Sequence, residues 1–222
     1  MKHWCYYVSK YLLWLFFRAG FGLDVRGQEH VPRRGAFILA SNHLSYLDPP
    51  LLGAVCQRRL SFMARANLFA QPLLGAFLRA VHVIPLQRGE GDLGAIREAV
   101  RQLRQGDAVA IFPEGGRQFS GQLGRAKRGV GLLAAAADVP IVPVLVQGTF
   151  QALPPGSHRL HRAKIRVAFG PPIPYTIPTV LSTDAPVSTQ STGRQGEARD
   201  RHEQLADALT RQWRRLAEQL NG

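Results

Sequence analysis

Phe37-Ile-Leu-Ala-Ser-Asn-His-Leu-Ser-Tyr-Leu-Asp-Pro49 is the stretch on which the rest of the chain turns. Phe37–Ala40 is a short apolar run of the kind that forms a buried strand. Ser41 and Asn42 favour leaving the sheet. His43 follows directly, and Asp48 comes after four intervening residues. Pro49 and Pro50 suit the first turn of a new helix, because that turn needs no backbone donor from them. Ligands of open α/β sheets bind outside the carboxyl ends of the strands. The stretch therefore places an imidazole and a carboxylate where chemistry commonly occurs. Asp48 before Pro49 also fits a helix N-cap, and Asn42-His43 also fits a plain turn.

Working outward, apolar runs alternate with helical patterns. Leu23–Arg26 reads as a short edge strand, Leu60–Ala64, His82–Leu86, Ala108–Phe112, Ile141–Gln147 and Lys164–Phe169 as further strands. Pro50–Val55 and Val130–Ala137 read as helices. Leu93, Ile96, Val100 and Leu103 recur at helical spacing after Asp92, a good cap, and Gly106 ends that helix. Leu68–Leu78 is uncharged and apolar, with Pro72 and Gly75 inside it; it fits a buried helix or a surface that touches lipid. Strands alternating with helices predict a single α/β domain with a largely parallel central sheet.

The two ends differ from this pattern. Trp4–Phe17 is rich in aromatic and aliphatic residues, interrupted by Lys10 and closed by Arg18. A spanning helix takes about 20 apolar residues, so this one is short for a crossing. It has no small-residue cleavage site behind it, so a signal peptide is not expected. Its tryptophans and tyrosines suit the headgroup level of a bilayer. A helix at 1–22 lying in the membrane interface is expected, with Lys2, Lys10 and Arg18 meeting anionic lipid; packing on the domain is the alternative. The domain itself is expected over 23–170. A linker rich in Pro, Ser and Thr is expected over 171–196, and an amphipathic helix over 197–222. In that helix Leu205, Leu209, Trp213, Leu216 and Leu220 form one stripe that suits docking.

Composition narrows the partners. The chain has 222 residues, 45% of them hydrophobic, enough for one sizeable core. Lys and Arg number 28 against 15 Asp and Glu, a formal charge of +13 that calls for an anionic partner. The lysines are Lys2, Lys10, Lys127 and Lys164; the other cations are arginine. Aromatics concentrate near the N-terminus instead of interleaving with arginine, which argues against nucleic acid. Cys5 and Cys56 have no ligand spacing, and a disulfide framework is not indicated. His158 and His161 have no acidic or cysteine ligands near them in sequence and read as solvated. No metal is expected.

Several strand ends carry polar groups suited to one crevice: Asn42 to Asp48, Leu86-Gln-Arg88, and Phe112-Pro-Glu-Gly-Gly-Arg117, with Lys127 following. A hydroxyl is a weak nucleophile at neutral pH and needs a base within hydrogen-bond reach. His43 fits that role, and Asp48 can hold its tautomer and stabilise the imidazolium. The substrate's own hydroxyl would take the place of a serine. Arginines and the amides of Gly115 and Gly116 suit phosphate. Solvated arginines, a structural ion pair to Glu114 and a plain glycine turn fit the same letters. Ser45 lies in no Gly-x-Ser-x-Gly elbow, which argues against a serine hydrolase.

Taken together these blocks resemble the lysophospholipid acyltransferase family. Its His-x4-Asp motif matches at His43 and Asp48, with Asn42 before and Pro49 after. Its strand ending in arginine matches at Arg88, its Phe-Pro-Glu-Gly-Thr-Arg block at Phe112–Arg117, and its Val-Pro-Ile-Val-Pro block at Val139–Pro143. Order and spacing agree across Gly27–Val146. Three positions depart: Gly116 stands for threonine, Ala126 for the aromatic before Lys127, and Met63–Leu68 lacks the Lys or Glu common there.

The resemblance implies acyl transfer from acyl-CoA or acyl carrier protein to the free hydroxyl of a lysophospholipid, lysophosphatidate first, at the cytoplasmic face of a membrane. It implies His43 as base and Asp48 as its partner. Arg88, Glu114, Gly115 and Arg117 would hold the acceptor's glycerol phosphate, with Lys127 at phosphate or donor, and no cofactor is required. Other acceptors (lysophosphatidylglycerol, lyso-ornithine lipid, glycerol phosphate) stay open. So does a different class, a non-catalytic basic protein that binds membrane.

Overall fold

A computed structural model describes residues 2–81, 83–87, 93–175 and 191–221. Its centre is a seven-stranded sheet in the order β1-β7-β6-β2-β5-β3-β4. The strands are β1 (Asp24–Arg26), β2 (Phe37–Ser41), β3 (Leu60–Arg65), β4 (Ile84–Leu86), β5 (Ala108–Ile111), β6 (Ile141–Gln147) and β7 (Arg166–Phe169). Every pairing is parallel except β6 with β7. The helices are α1 (Lys2–Phe21), α2 (Asp48–Val55), α3 (Pro72–Ala80), α4 (Leu93–Arg104), α5 (Gly129–Ala137), α6 (Thr149–Ala152) and α7 (Ser191–Asn221). The largely parallel α/β sheet expected from the alternation is present.

β2 sits between β6 and β5, with Ile38 opposite Ile141 and Ala40 opposite Ile111. Its residues alternate between two layers. Phe37 and Leu39 belong to a core shared with Phe17 and Phe21 of α1 and with Leu51 and Leu52 of α2. Ile38 and Ala40 belong to the opposite core, with Leu103 of α4, Leu133 of α5 and Trp213 of α7. Successive side chains of a strand point to opposite faces, so a four-residue apolar run buried throughout requires cover on both sides. Burying each of Phe37, Ile38 and Leu39 contributes about 1.5–3 kcal/mol. The chain leaves β2 through α2 on one face and crosses from β5 to β6 through α5 on the other. A crevice opens where the two connections diverge, beyond the carboxyl end of β2.

α1 docks by one stripe. Tyr6, Phe17 and Phe21 are buried and Leu13 packs on the core. The same helix exposes Tyr7, Tyr11, Leu12, Trp14, Leu15 and Phe16. Lys10 corrects the expectation that it meets lipid: its ammonium is turned inward and donates to the Cys56 carbonyl. No described helix is long and apolar enough to cross a membrane.

α7 begins at Ser191, ahead of the expected Glu197, and its helical hydrogen bonding absorbs the end of the expected linker. The start of that linker is tied to the sheet, for Ile173 exchanges backbone hydrogen bonds with Ile141. The stripe Leu205, Leu209, Trp213, Leu216 and Leu220 is buried throughout, as its spacing requires. Trp213 Nε1 donates to the Ala40 carbonyl at 3.2 Å, and Arg125 pairs with Asp207 at 2.7 Å. The predicted cap Asp92 and strand start His82 lie outside the described residues.

Candidate active site

Asn42 releases the chain from the sheet without breaking the ladder. Its side-chain amide donates to the Val146 carbonyl at 2.9 Å, and its Oδ1 accepts from the Val146 N–H at 2.8 Å. The carboxamide thus substitutes for one more residue of strand pairing, which lets the backbone turn at His43. A buried backbone pair left open there would cost about 1–3 kcal/mol.

Asp48 then folds back onto the loop that precedes it. Its Oδ2 accepts from the Leu44 and Ser45 N–H groups, both at 2.7 Å, and lies 2.9 Å from His43 Nδ1. The carboxylate is fully buried, and its Oδ1 has no partner among the described residues. It is the first residue of α2 (Leu47 holds the cap position), and it serves the loop more than the helix. A carboxylate fed by two amides takes the Nδ1 proton as a third donor, which leaves Nε2 as the lone-pair nitrogen. The imidazole is 17% exposed, enough to reach a substrate.

The Phe112–Lys127 loop wraps this histidine. The Phe112 ring stacks on the imidazole with centroids 4.1 Å apart and planes 22° from parallel. The Glu114 Oε2 accepts from the His43 N–H at 2.9 Å, and Oε1 accepts from Gly124 N–H at 2.9 Å. Gln118 N–H donates to the His43 carbonyl at 2.9 Å. Burial pushes the Glu114 carboxyl up, and these amides together with the Gln118 side chain pull it back. A Cβ on Gly124 would fall 3.0 Å from Glu114 Oε1, so the close approach needs glycine.

Glu114 and Gly115, both expected at the acceptor, have partners within the chain. Glu114, expected to meet the acceptor or an arginine, accepts from the His43 N–H with Oε2 and from the Gly124 N–H with Oε1. Gly115, expected to offer its amide to phosphate, donates that amide to the Phe112 carbonyl at 3.1 Å. Its contribution is a φ of 81° and open space, for a Cβ would lie 2.7 Å from Lys127 Nζ. Lys127 is thereby brought over the turn, its backbone fixed to Pro113 at 2.8 Å.

Arg117 lies with its guanidinium 3.6 Å above the Tyr46 ring, and its Nη1 is buried without a hydrogen-bond partner among the described residues. Tyr46 itself is exposed. Arg88 lies outside the described residues. Ser45 Oγ donates to the Leu153 carbonyl at 2.7 Å, a structural duty. His158 and His161 are exposed, and no group of metal-binding side chains exists among the described residues.

The structure thus brings together His43, Asp48, Glu114, Gly115, Arg117 and Lys127. Sequence reasoning missed the parts played by Phe112, Tyr46, Gln118 and the Asn42 carboxamide. The signal for Phe112 was its place one residue past β5, the strand that pairs with β2. The assembly offers a base with a free ring nitrogen and two cations on the loop that wraps it, chemistry suited to activating a hydroxyl on a phosphorylated molecule.

Comparison with known proteins agrees with that chemistry. A family model described as Acyltransferase matches residues 22–147. The chain is 31% identical over 154 residues to the chloroplast 1-acyl-sn-glycerol-3-phosphate acyltransferase BAT2 of Brassica napus, covering 68% of this chain and 44% of that protein. It is 28% identical over 153 residues to the 1-acyl-sn-glycerol-3-phosphate acyltransferase of Bacillus subtilis, covering 68% of this chain and 74% of that one. It thus spans less than half the length of the chloroplast relative. The fold matches the crystal structure of the 1-acyl-sn-glycerophosphate acyltransferase PlsC of Thermotoga maritima with a TM-score of 0.69. That match has 24% identity and covers 94% of this chain and 80% of the other. The family match spans the His43–Asp48 loop and the loop that wraps it, and by it the chain belongs to the acyltransferase family.

Proposed function

We propose that the chain transfers an acyl group from acyl-CoA or acyl carrier protein to the free hydroxyl of lysophosphatidate, giving phosphatidate. The observation that carries this is the buried Asp48 carboxylate 2.9 Å from His43 Nδ1. His43 Nε2 takes the proton of the acceptor hydroxyl as its oxygen attacks the thioester carbonyl. Asp48 stabilises the imidazolium that forms. When the carbonyl reforms, the carbon–sulfur bond breaks, and His43 returns the proton to the departing thiolate. Arg117 and Lys127 hold the acceptor's phosphate by charge-assisted hydrogen bonds. Glu114 and Phe112 are positioning residues, acting through His43. The relatives named for 1-acyl-sn-glycerol-3-phosphate support that acceptor.

The enzyme works against the cytoplasmic face of a membrane as a monotopic or peripheral protein. What supports this is the exposed aromatic side of α1 together with Leu73 and Phe77, exposed on α3, a helix that α1 touches. Aromatic side chains favour the bilayer interface.

The test is incubation of the purified chain with vesicles containing lysophosphatidate and either thioester donor, with phosphatidate measured by mass. Phosphatidate is the expected product, and flotation with the vesicles is expected. Product only with another lysolipid would move the acceptor. No transfer to any lysolipid by folded, vesicle-bound protein would contradict the proposal and favour a basic membrane-binding protein.

A further inference from the structure

A second group of cations adjoins the catalytic loop. A cavity of about 550 Å³ opens beyond the carboxyl end of β6, where the chain turns toward β7. Its cations are Arg162, Lys164 and Arg166, joined by the carboxamides of Gln147 and Gln151. No acidic residue lines it. It shares a wall with the site through Leu44, the residue after His43, whose own N–H donates to Asp48.

Among the described residues, two of these cations have no partner and the third is only partly engaged. Arg162 and Lys164 are exposed and have no ion pair or hydrogen bond among the described residues. Arg166 uses Nη1 on the Leu220 carbonyl and leaves a buried Nε without a partner. β7 runs antiparallel to β6, so the start of β7 lies at the catalytic end of the sheet. This reversal, which β1 shares by pairing parallel to β7, delivers Lys164 and Arg166 to the crevice; had β7 run parallel to β6 they would lie at the far end.

We infer that this cavity binds the phosphate end of the thioester donor, while Arg117 and Lys127 serve the acceptor. The inference rests on the acyl-transfer function proposed above. Two anionic substrates meet at His43. The acceptor's phosphate lies a few bonds from its hydroxyl and needs cations carried by the loop that wraps the base. The donor's phosphate lies at the far end of the pantetheine arm and needs cations set apart from it. A phosphate oxygen takes several donors at once, which an arginine–lysine–arginine cluster with two carboxamides supplies. The phosphate is common to coenzyme A and to the carrier protein's prosthetic arm.

The experiment compares acyl-CoA with the same acylpantetheine, which has the thioester and no phosphate. The ratio of their kcat/KM values is read in wild type and in Arg162→Gln/Lys164→Gln. The ratio is expected to fall about tenfold or more in the double variant, with the loss in donor KM. Arg97→Gln, a neutralised arginine on α4, is expected to leave the ratio unchanged. Acyl carrier protein forms a further arm. Loss with both donors assigns the cavity to the shared phosphate, and loss with acyl-CoA alone assigns it to the nucleotide phosphates. Three results would overturn the inference: an unchanged ratio, a rise confined to the KM for lysophosphatidate, or an equal fall in Arg97→Gln. Should the wild type transfer no acyl group, calorimetry with coenzyme A decides separately. Binding about tenfold weaker in the double variant supports the cavity, and equal binding refutes it.

Discussion

Glu114 holds His43 by its backbone: the carboxylate accepts the His43 N–H at 2.9 Å, while Asp48 takes the ring Nδ1 at 2.9 Å. The two carboxylates lie on different segments and fix different ends of one residue. Removing Glu114 therefore frees the loop that aims the imidazole. Glu114→Ala leaves the half-buried His43 and Gly124 amides without their acceptor, at about 1 kcal/mol for each. Thermal unfolding is expected to show that loss, and kcat to fall with acceptor KM little changed. Glu114→Gln keeps an acceptor for one amide, and both losses should be smaller.

Tyr46 supports Arg117 by stacking at 3.6 Å. A cation over an aromatic face at a partly exposed site is worth about 0.5–2 kcal/mol. Tyr46→Ala is expected to raise the KM for the phosphorylated acceptor by about twofold to thirtyfold, with kcat less affected. Tyr46→Phe keeps the ring and should keep the KM. An equal loss in both variants would assign the effect to the hydroxyl instead.

Trp213 links the last helix to the catalytic strand. It is fully buried, and its Nε1 donates to the carbonyl of Ala40, two residues before Asn42. Trp213→Ala is expected to cost about 3–5 kcal/mol, read by chemical denaturation. Trp213→Phe, which retains most of the volume, should cost less.

Burial raises the Cys56 thiol to about 11, against smaller opposing effects from the Arg58 backbone and Lys10. The thiolate is the reactive form, so the folded protein keeps Cys56 unreactive through the neutral range. In a Cys5→Ser background, alkylation is expected to be slow at pH 8 and to quicken as pH rises toward 11. Denaturant should make it fast at pH 8. Fast alkylation of folded protein at pH 8 would contradict the burial of α1 against α2.

The parts of this architecture legible in the sequence are those with one periodicity. Phe37–Ala40, Ile141–Gln147 and the Leu205–Leu220 stripe each appear in the fold where the pattern places them. Their burial follows from local letters alone. The motif letters also named His43 and Asp48 as partners, and the loop between them folds back so that they meet. What the letters concealed is which atom each polar group uses. Glu114 and Gly115 belong to a phosphate-type block, yet the carboxylate is consumed by two amides and the Gly115 amide by its own turn. His43 lies 71 residues from Glu114, so no local rule reveals that bond. Lys10 misled for a related reason: a lone cation in an apolar helix reads as exposed, but the Cys56 carbonyl at the end of α2 offers it a buried acceptor.

The most direct measurement is the rate of acyl transfer to lysophosphatidate by His43→Ala, beside wild type, with equal folding and vesicle binding established for both. A side chain that takes and returns the substrate proton contributes about 10²–10⁴-fold. The account expects kcat to fall by at least about 10²-fold in the variant. Transfer by folded His43→Ala at a rate near wild type would contradict it, for the proton would then be moved by some other group.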